Sequence, residues 1–94
     1  PVVPPWASPV WHLFVIRHPQ RDALQKHLDD FGIQTIIHYP TPPHLSGAYQ
    51  SLGMLPGAFP IAEQLADEVL SLPIGPHTPP AHMDEVCQAL MAWQ

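Results

Sequence analysis

The thirty residues VWHLFVIRHPQRDALQKHLDDFGIQTIIHY, numbers 10–39, decide the fold. The first eight, Val10 to Arg17, are β-branched and aromatic, with Trp11, Leu13 and Val15 alternating with His12, Phe14 and Ile16. Both faces of such a run are largely apolar, which predicts a central strand covered on two sides, with His12 as a hydrogen-bonded core histidine. His18-Pro19 stops it, because proline brings no N–H to a ladder. Leu24, Leu28 and Phe31 then recur at helical spacing, and Gly32 stands where a helix ends on a left-handed residue. Ile33 to Tyr39 reads as a second strand, closed by Pro40.

On the N-terminal side, residues 1–9 (PVVPPWASP) hold four prolines and read as an extended lead-in or linker, leaving residues 10–94 as the domain proper. On the C-terminal side, TPPHLSGAYQSLGMLPGA (41–58) is a long loop with one short helix expected around Ser46–Leu52. PIAEQLADEVL from Pro60 is a helix with Ala62, Leu65, Ala66 and Val69 as its buried stripe. Leu70–Ile74 is short and carries Pro73, so an edge strand is expected. A last helix follows Thr78, with Pro79 and Pro80 at its start and Met83, Val86, Cys87, Leu90 and Met91 as its stripe. The order predicts an α/β fold, a small two-layer sandwich with helices packed on a sheet of about three strands.

Composition limits the function. Three Lys+Arg against eight Asp+Glu in 94 residues leave a net charge of −5, without the basic stripe that nucleic acid or an anionic membrane surface requires. No apolar run approaches the ~20 residues of a membrane-spanning helix, and the opening does not read as a signal peptide. The one cysteine, Cys87, excludes an internal disulfide framework and fits a reducing, cytoplasmic setting. Fourteen prolines in 46% hydrophobic sequence, and a start at Pro1 rather than Met, lead to the expectation of a piece of a longer protein.

Few residues carry chemistry. The seven histidines form no H-E-x-x-H and have no cysteine partners, so no metal site is expected; His27 and His82 read as solvated helix residues. Cys87 lies in an apolar stripe and reads as a small hydrophobe. Glu63, Asp67 and Glu68 read as a wet helix face. The loop from His38 to Tyr49 differs. Two imidazoles, His38 and His44, and two phenols, Tyr39 and Tyr49, are mounted on backbone stiffened by Pro40, Pro42 and Pro43. Such rings suit a polyhydroxylated or phosphorylated ligand, offering stacking faces and hydrogen bonds at little ordering cost. A proline-stiffened contact between domains explains them equally well, and from the residues alone both readings stand.

A resemblance decides between them. HLFVIR (12–17), the R-D-A-L…L…F-G-I run (21–33), IHYPTPPHLSGAY (37–49), FPIAEQLADEVLSLPI (59–74) and a last helix with Glu85 and Val86 resemble the C-terminal small domain of the DegT/StrS family of sugar aminotransferases. The combination H-Y-P-x-P-x-H-x-x-x-x-Y, F-P-x-A-E and L-S-L-P at these separations covers the chain from about Trp11 to Leu90. The resemblance implies a fold-type-I enzyme that uses pyridoxal 5'-phosphate. A large domain of the same polypeptide would hold the cofactor through a Schiff-base lysine. That large domain lies outside these residues, so no catalytic residue, no bound cofactor and no activity are expected of them alone.

The implied reaction transfers an amino group, commonly from glutamate, to a keto group of a nucleotide-linked sugar, in a homodimer. Carried over by position, His38 and Tyr39 match the pair that approaches the sugar and its diphosphate. His44 and Tyr49 match the following histidine and tyrosine of that loop. Phe59, Pro60 and Glu63 match an element that starts a helix and pins the end of the loop. The H-Y-P-x-P-x-H form leans towards 3-keto substrates, and Pro43 stiffens the loop beyond the usual pattern. Two alternatives stay open: a sugar dehydratase of the same family, and a free-standing binding or assembly module. An exposed apolar surface is expected where the large domain would pack.

Overall fold

A computed structural model describes residues 1–93. In chain order it holds strand β1 (Phe14–Arg17), helix α1 (Arg21–Asp30), two 3-10 turns (Pro43–Leu45 and Gly47–Leu52), helix α2 (Pro60–Glu68), strand β2 (Val69–Leu72) and helix α3 (Pro80–Met91).

β1 and β2 pair antiparallel, with Phe14 opposite Leu72 and Ile16 opposite Leu70. Alternation puts these four residues on one face. There they meet a core built from Leu24 and Leu28 of α1, Ile33, and Val86 and Ala89 of α3. The Ser71 N–H and C=O turn the other way, to the C=O and N–H of Ile36 at 2.8 and 3.2 Å. β2 therefore lies between β1 and Ile36. It is the central strand, not the edge, and β1 is the edge rather than the centre.

The expected sheet of about three strands is corrected to two strands and a single bridge at Ile36. Ile33–Tyr39 fails to become a full strand because the antiparallel register set by Ile36 and Ser71 puts Gln34 opposite Pro73, which has no N–H to give it, while the Thr35 groups face away from β2. The Thr35 carbonyl and hydroxyl both accept from the Gln25 side chain at 3.3 Å. Pro40 has no N–H to extend the ladder. β1 is likewise shorter than expected, beginning at Phe14 instead of Val10. Trp11 has φ +40°, a left-handed conformation that an extended strand cannot hold. His12, expected in the core, is exposed as a result.

α1 ends as its sequence predicts. Gly32 takes φ +75°; its N–H bonds to Asp29 at 2.8 Å, and the Ile33 N–H reaches the Leu28 carbonyl at 2.9 Å. That pair of bonds is a Schellman closure. Phe31, expected in the buried stripe, sits past the last turn and is exposed.

α3 is rotated from its expected stripe. Val86 and Ala89 are buried with Leu90 and Trp93 packed beside them, while Met83, Cys87 and Met91 face out. Ala89, with no side chain beyond Cβ, lets α3 approach α1 closely, and its carbonyl lies 2.9 Å from His27 Nε2. His27, expected to be solvated, is half-buried between the rings of Phe31 and Trp93. Arg21, unremarked in the sequence, is buried and donates to the carbonyls of Ala66 and Val69 at 3.2 and 3.0 Å. It thereby fastens α1 to the point where α2 turns into β2. Among the described residues no helix is long and apolar enough to cross a membrane.

Candidate functional site

The loop between Ile37 and Pro60 is shaped from both ends. At its far end Pro60 opens α2, and the Glu63 carboxylate turns back over the helix start. It accepts the Gly57 N–H at 2.8 and 2.9 Å and the Phe59 N–H at 3.2 Å. Gly57 adopts φ +91°, which a residue with a Cβ tolerates poorly, and that turn aims its N–H at the carboxylate. The Gly57 N–H, reinforced by the Phe59 N–H and His44, holds the Glu63 carboxyl below the ordinary 4.5 against an opposing contribution from burial.

His44 is the loop's inner anchor. Its Nε2 lies 2.9 Å from Glu63 Oε1 and its ring meets Phe59 edge-on at 4.9 Å. Only 7% of its side chain reaches solvent. One ring nitrogen is therefore committed to the protein's own carboxylate. Tyr49 shares with His44, Leu52, Met54 and Phe59 an apolar hollow of about 340 Å³.

At the near end, His38 and Tyr39 stand together, ring centroids 5.4 Å apart and perpendicular. Tyr39 is 74% exposed. His38 is half-buried, with Nδ1 2.8 Å from the Ser71 hydroxyl in the middle of β2. The ring sits on the divide between two depressions. One is a hollow of about 330 Å³ that it shares with Tyr39, Pro42 and Leu65. The other is an open cleft of about 820 Å³ lined by His12, Lys26, Thr35, Ile36 and Ser71.

The four rings singled out in the sequence thus form two pairs, not one cluster. His38 with Tyr39 offers a nitrogen and a phenol to the outside. His44 with Tyr49 brackets an apolar hollow, the histidine turned inward. The sequence reading missed Ser71, which supports His38; its only trace is a lone polar residue among the apolar side chains of β2. Among the described residues no three His, Cys, Asp or Glu side chains gather as a metal site would require.

Lys26, the one lysine, does not suit cofactor attachment. Its Nζ lies 2.9 Å from Asp30, and that hydrogen bond and charge hold the ammonium above its ordinary value. A Schiff base needs the neutral amine. Lys26 is therefore not poised to attach pyridoxal phosphate.

The model of the DegT/DnrJ/EryC1/StrS aminotransferase family matches residues 1–91. The erythromycin biosynthesis sensory transduction protein EryC1 of Saccharopolyspora erythraea is 60% identical over 92 residues, 98% of this chain and 25% of that protein. The dTDP-3-amino-3,4,6-trideoxy-alpha-D-glucose transaminase of Streptomyces venezuelae is 48% identical over 93 residues, 99% of this chain and 24% of that protein. The crystal structure of S. venezuelae DesV in complex with a ketimine intermediate superposes with a TM-score of 0.94 at 48% identity. It is matched over 99% of this chain and 25% of its own. The chain spans about a quarter of the length of these relatives.

Proposed function

The chain belongs to the DegT/DnrJ/EryC1/StrS aminotransferase family, and on that premise we propose that it is the C-terminal small domain of a nucleotide-sugar aminotransferase. The whole protein moves an amino group, from glutamate, to a keto group of a nucleotide-linked sugar. It works as a cytoplasmic homodimer, with residues 1–9 leading in from the large domain. His38 and Tyr39 meet the sugar and its diphosphate; Tyr49 borders the same surface, and His44 contributes by holding the loop in shape.

The observation that carries this reading is the His38–Tyr39 pair. Two polar rings stand 5.4 Å apart at the mouth of a cleft, on a proline-braced loop anchored by Ser71 at one end and Glu63 at the other. A fixed nitrogen and an exposed phenol suit a ligand rich in oxygen atoms. The family depends on pyridoxal phosphate in general. On this reading the cofactor is held by the large domain, and these residues bind and orient the sugar.

The test uses the full-length protein. His38→Ala and Tyr39→Phe are expected to raise KM for the nucleotide sugar or lower kcat, with the absorbance of bound pyridoxal phosphate retained. Unchanged kinetics in both variants would overturn the placement of the loop at the sugar.

A further inference from the structure

Ser71 is the one polar side chain in β2, whose other members are Val69, Leu70 and Leu72. It is 5% exposed, and both of its backbone groups are engaged by Ile36. Its position is therefore fixed by the sheet and not by its hydroxyl. The hydroxyl has one hydrogen-bond partner among the described residues, His38 Nδ1 at 2.8 Å.

For a neutral imidazole that contact can be made in two ways, and they are not equivalent. If Nδ1 carried the proton and donated to Oγ, the Ser71 hydroxyl proton would have no acceptor among the described residues, and at 5% exposure on the floor of the cleft Ser71 gives water little access to replace one. A buried unmade hydrogen bond costs about 1–3 kcal/mol. If the hydroxyl donates to an unprotonated Nδ1, each group is satisfied and the imidazole proton resides on Nε2. Among the described residues no buried side-chain polar atom lacks a partner.

We propose that Ser71 is a positioning residue which holds neutral His38 as its Nε2–H tautomer. The ring then presents one fixed hydrogen-bond donor to an oxygen acceptor of a phosphorylated sugar. A ring free to exchange tautomers would present a donor part of the time and an acceptor otherwise. The identity of the acceptor rests on the proposed function; the tautomer rests on the Ser71 geometry alone.

The two are separable by experiment. Nitrogen-15 NMR of His38 at mildly alkaline pH, where imidazoles are neutral, is expected to show the proton on Nε2 in the wild-type chain. Ser71→Ala is expected to give a mixture of tautomers, and Ser71→Thr, which keeps the hydroxyl, to restore Nε2–H. In the full-length protein, Ser71→Ala is expected to raise KM for the nucleotide sugar about 3- to 10-fold, the size of one hydrogen bond, with kcat changed less.

Ser71→Thr should recover that loss, and Ser71→Ala should add nothing in a His38→Ala background. A proton found on Nδ1 in the wild type, a result that needs no variant to fold, overturns this inference. So does a tautomer ratio unmoved in Ser71→Ala. The expected tautomers with an unmoved KM would instead overturn the reading of His38 as the sugar contact.

Discussion

At the scale of the residue, Glu63 organises more of the loop than any ring it carries. Its carboxylate joins Gly57, Phe59 and His44, and those bonds are stronger to the ionised form. The folded-state value is lowered from 4.5, so the stabilisation is complete above that value and is lost as the pH falls through the folded one. Glu68, held low by Gln64 and Arg17, acts in the same direction, so the comparison with a variant isolates Glu63. Thermal unfolding is expected to start lower in Glu63→Gln at neutral pH and to fall less than the wild type between about pH 5 and pH 3. Parallel curves for the two proteins would show that the carboxylate does not hold the loop. The residues alone read Glu63 as part of a wet helix face, which its bonds to Gly57, Phe59 and His44 correct; only the resemblance placed it in an element that pins the end of the loop. Ser71 was not legible, because nothing in a four-residue apolar strand reveals that its one hydroxyl will face a histidine 33 positions away.

At the scale of the element, local chemistry was read correctly at the ends of α1 and α2, while Pro73 misled, since β2 is the central strand and not the edge. Gly32 closes α1 and Pro60 opens α2 as their backbone preferences require. Gly32→Ala meets no neighbouring atom, so its cost is that of the left-handed backbone alone, about 1–2 kcal/mol by chemical denaturation. A neutral substitution would mean that the turn relaxes freely. What could not be read was pairing and rotation. Ile33–Tyr39 has the β-branched content of a strand, yet only Ile36 finds a partner because the register puts Pro73, which has no N–H, opposite Gln34. Opposite Asp84, Glu85 and Gln88, α3 carries a broad apolar arc, and only the approach of α1 selects Ala89 over Cys87. The link between α1 and the α2–β2 junction through Arg21 is likewise tertiary. Arg21→Leu leaves the Ala66 and Val69 carbonyls without that donor and is expected to cost about 1.5–3 kcal/mol. A loss below this range would show that water replaces the guanidinium.

At the scale of the whole molecule, the chain is too open for its size. Its accessible surface is 7082 Å², where a compact monomer of this mass exposes about 5,400 Å². Its radius of gyration is 15.8 Å against about 12 Å for a compact chain of this length. The surplus, part of it from the extended lead-in, is about twice the ~800 Å² that each partner of a standard-size interface removes from water. Part of it is apolar and continuous along the chain: Tyr49, Leu52, Leu55, Phe59 and Ile61 are all at least 49% exposed. On the proposed reading the large domain covers such a surface, and without it the same residues drive association of copies. Sedimentation of the 94-residue chain is expected to show mass rising with protein concentration, and Leu55→Ser with Ile61→Ser to reduce that rise without changing the far-ultraviolet circular dichroism. Those two residues are 73% and 75% exposed and lie outside the core, so the fold does not depend on them. A strictly monomeric wild type at high concentration would mean that the apolar side chains between Tyr49 and Ile61 are tolerated in water and call for no partner.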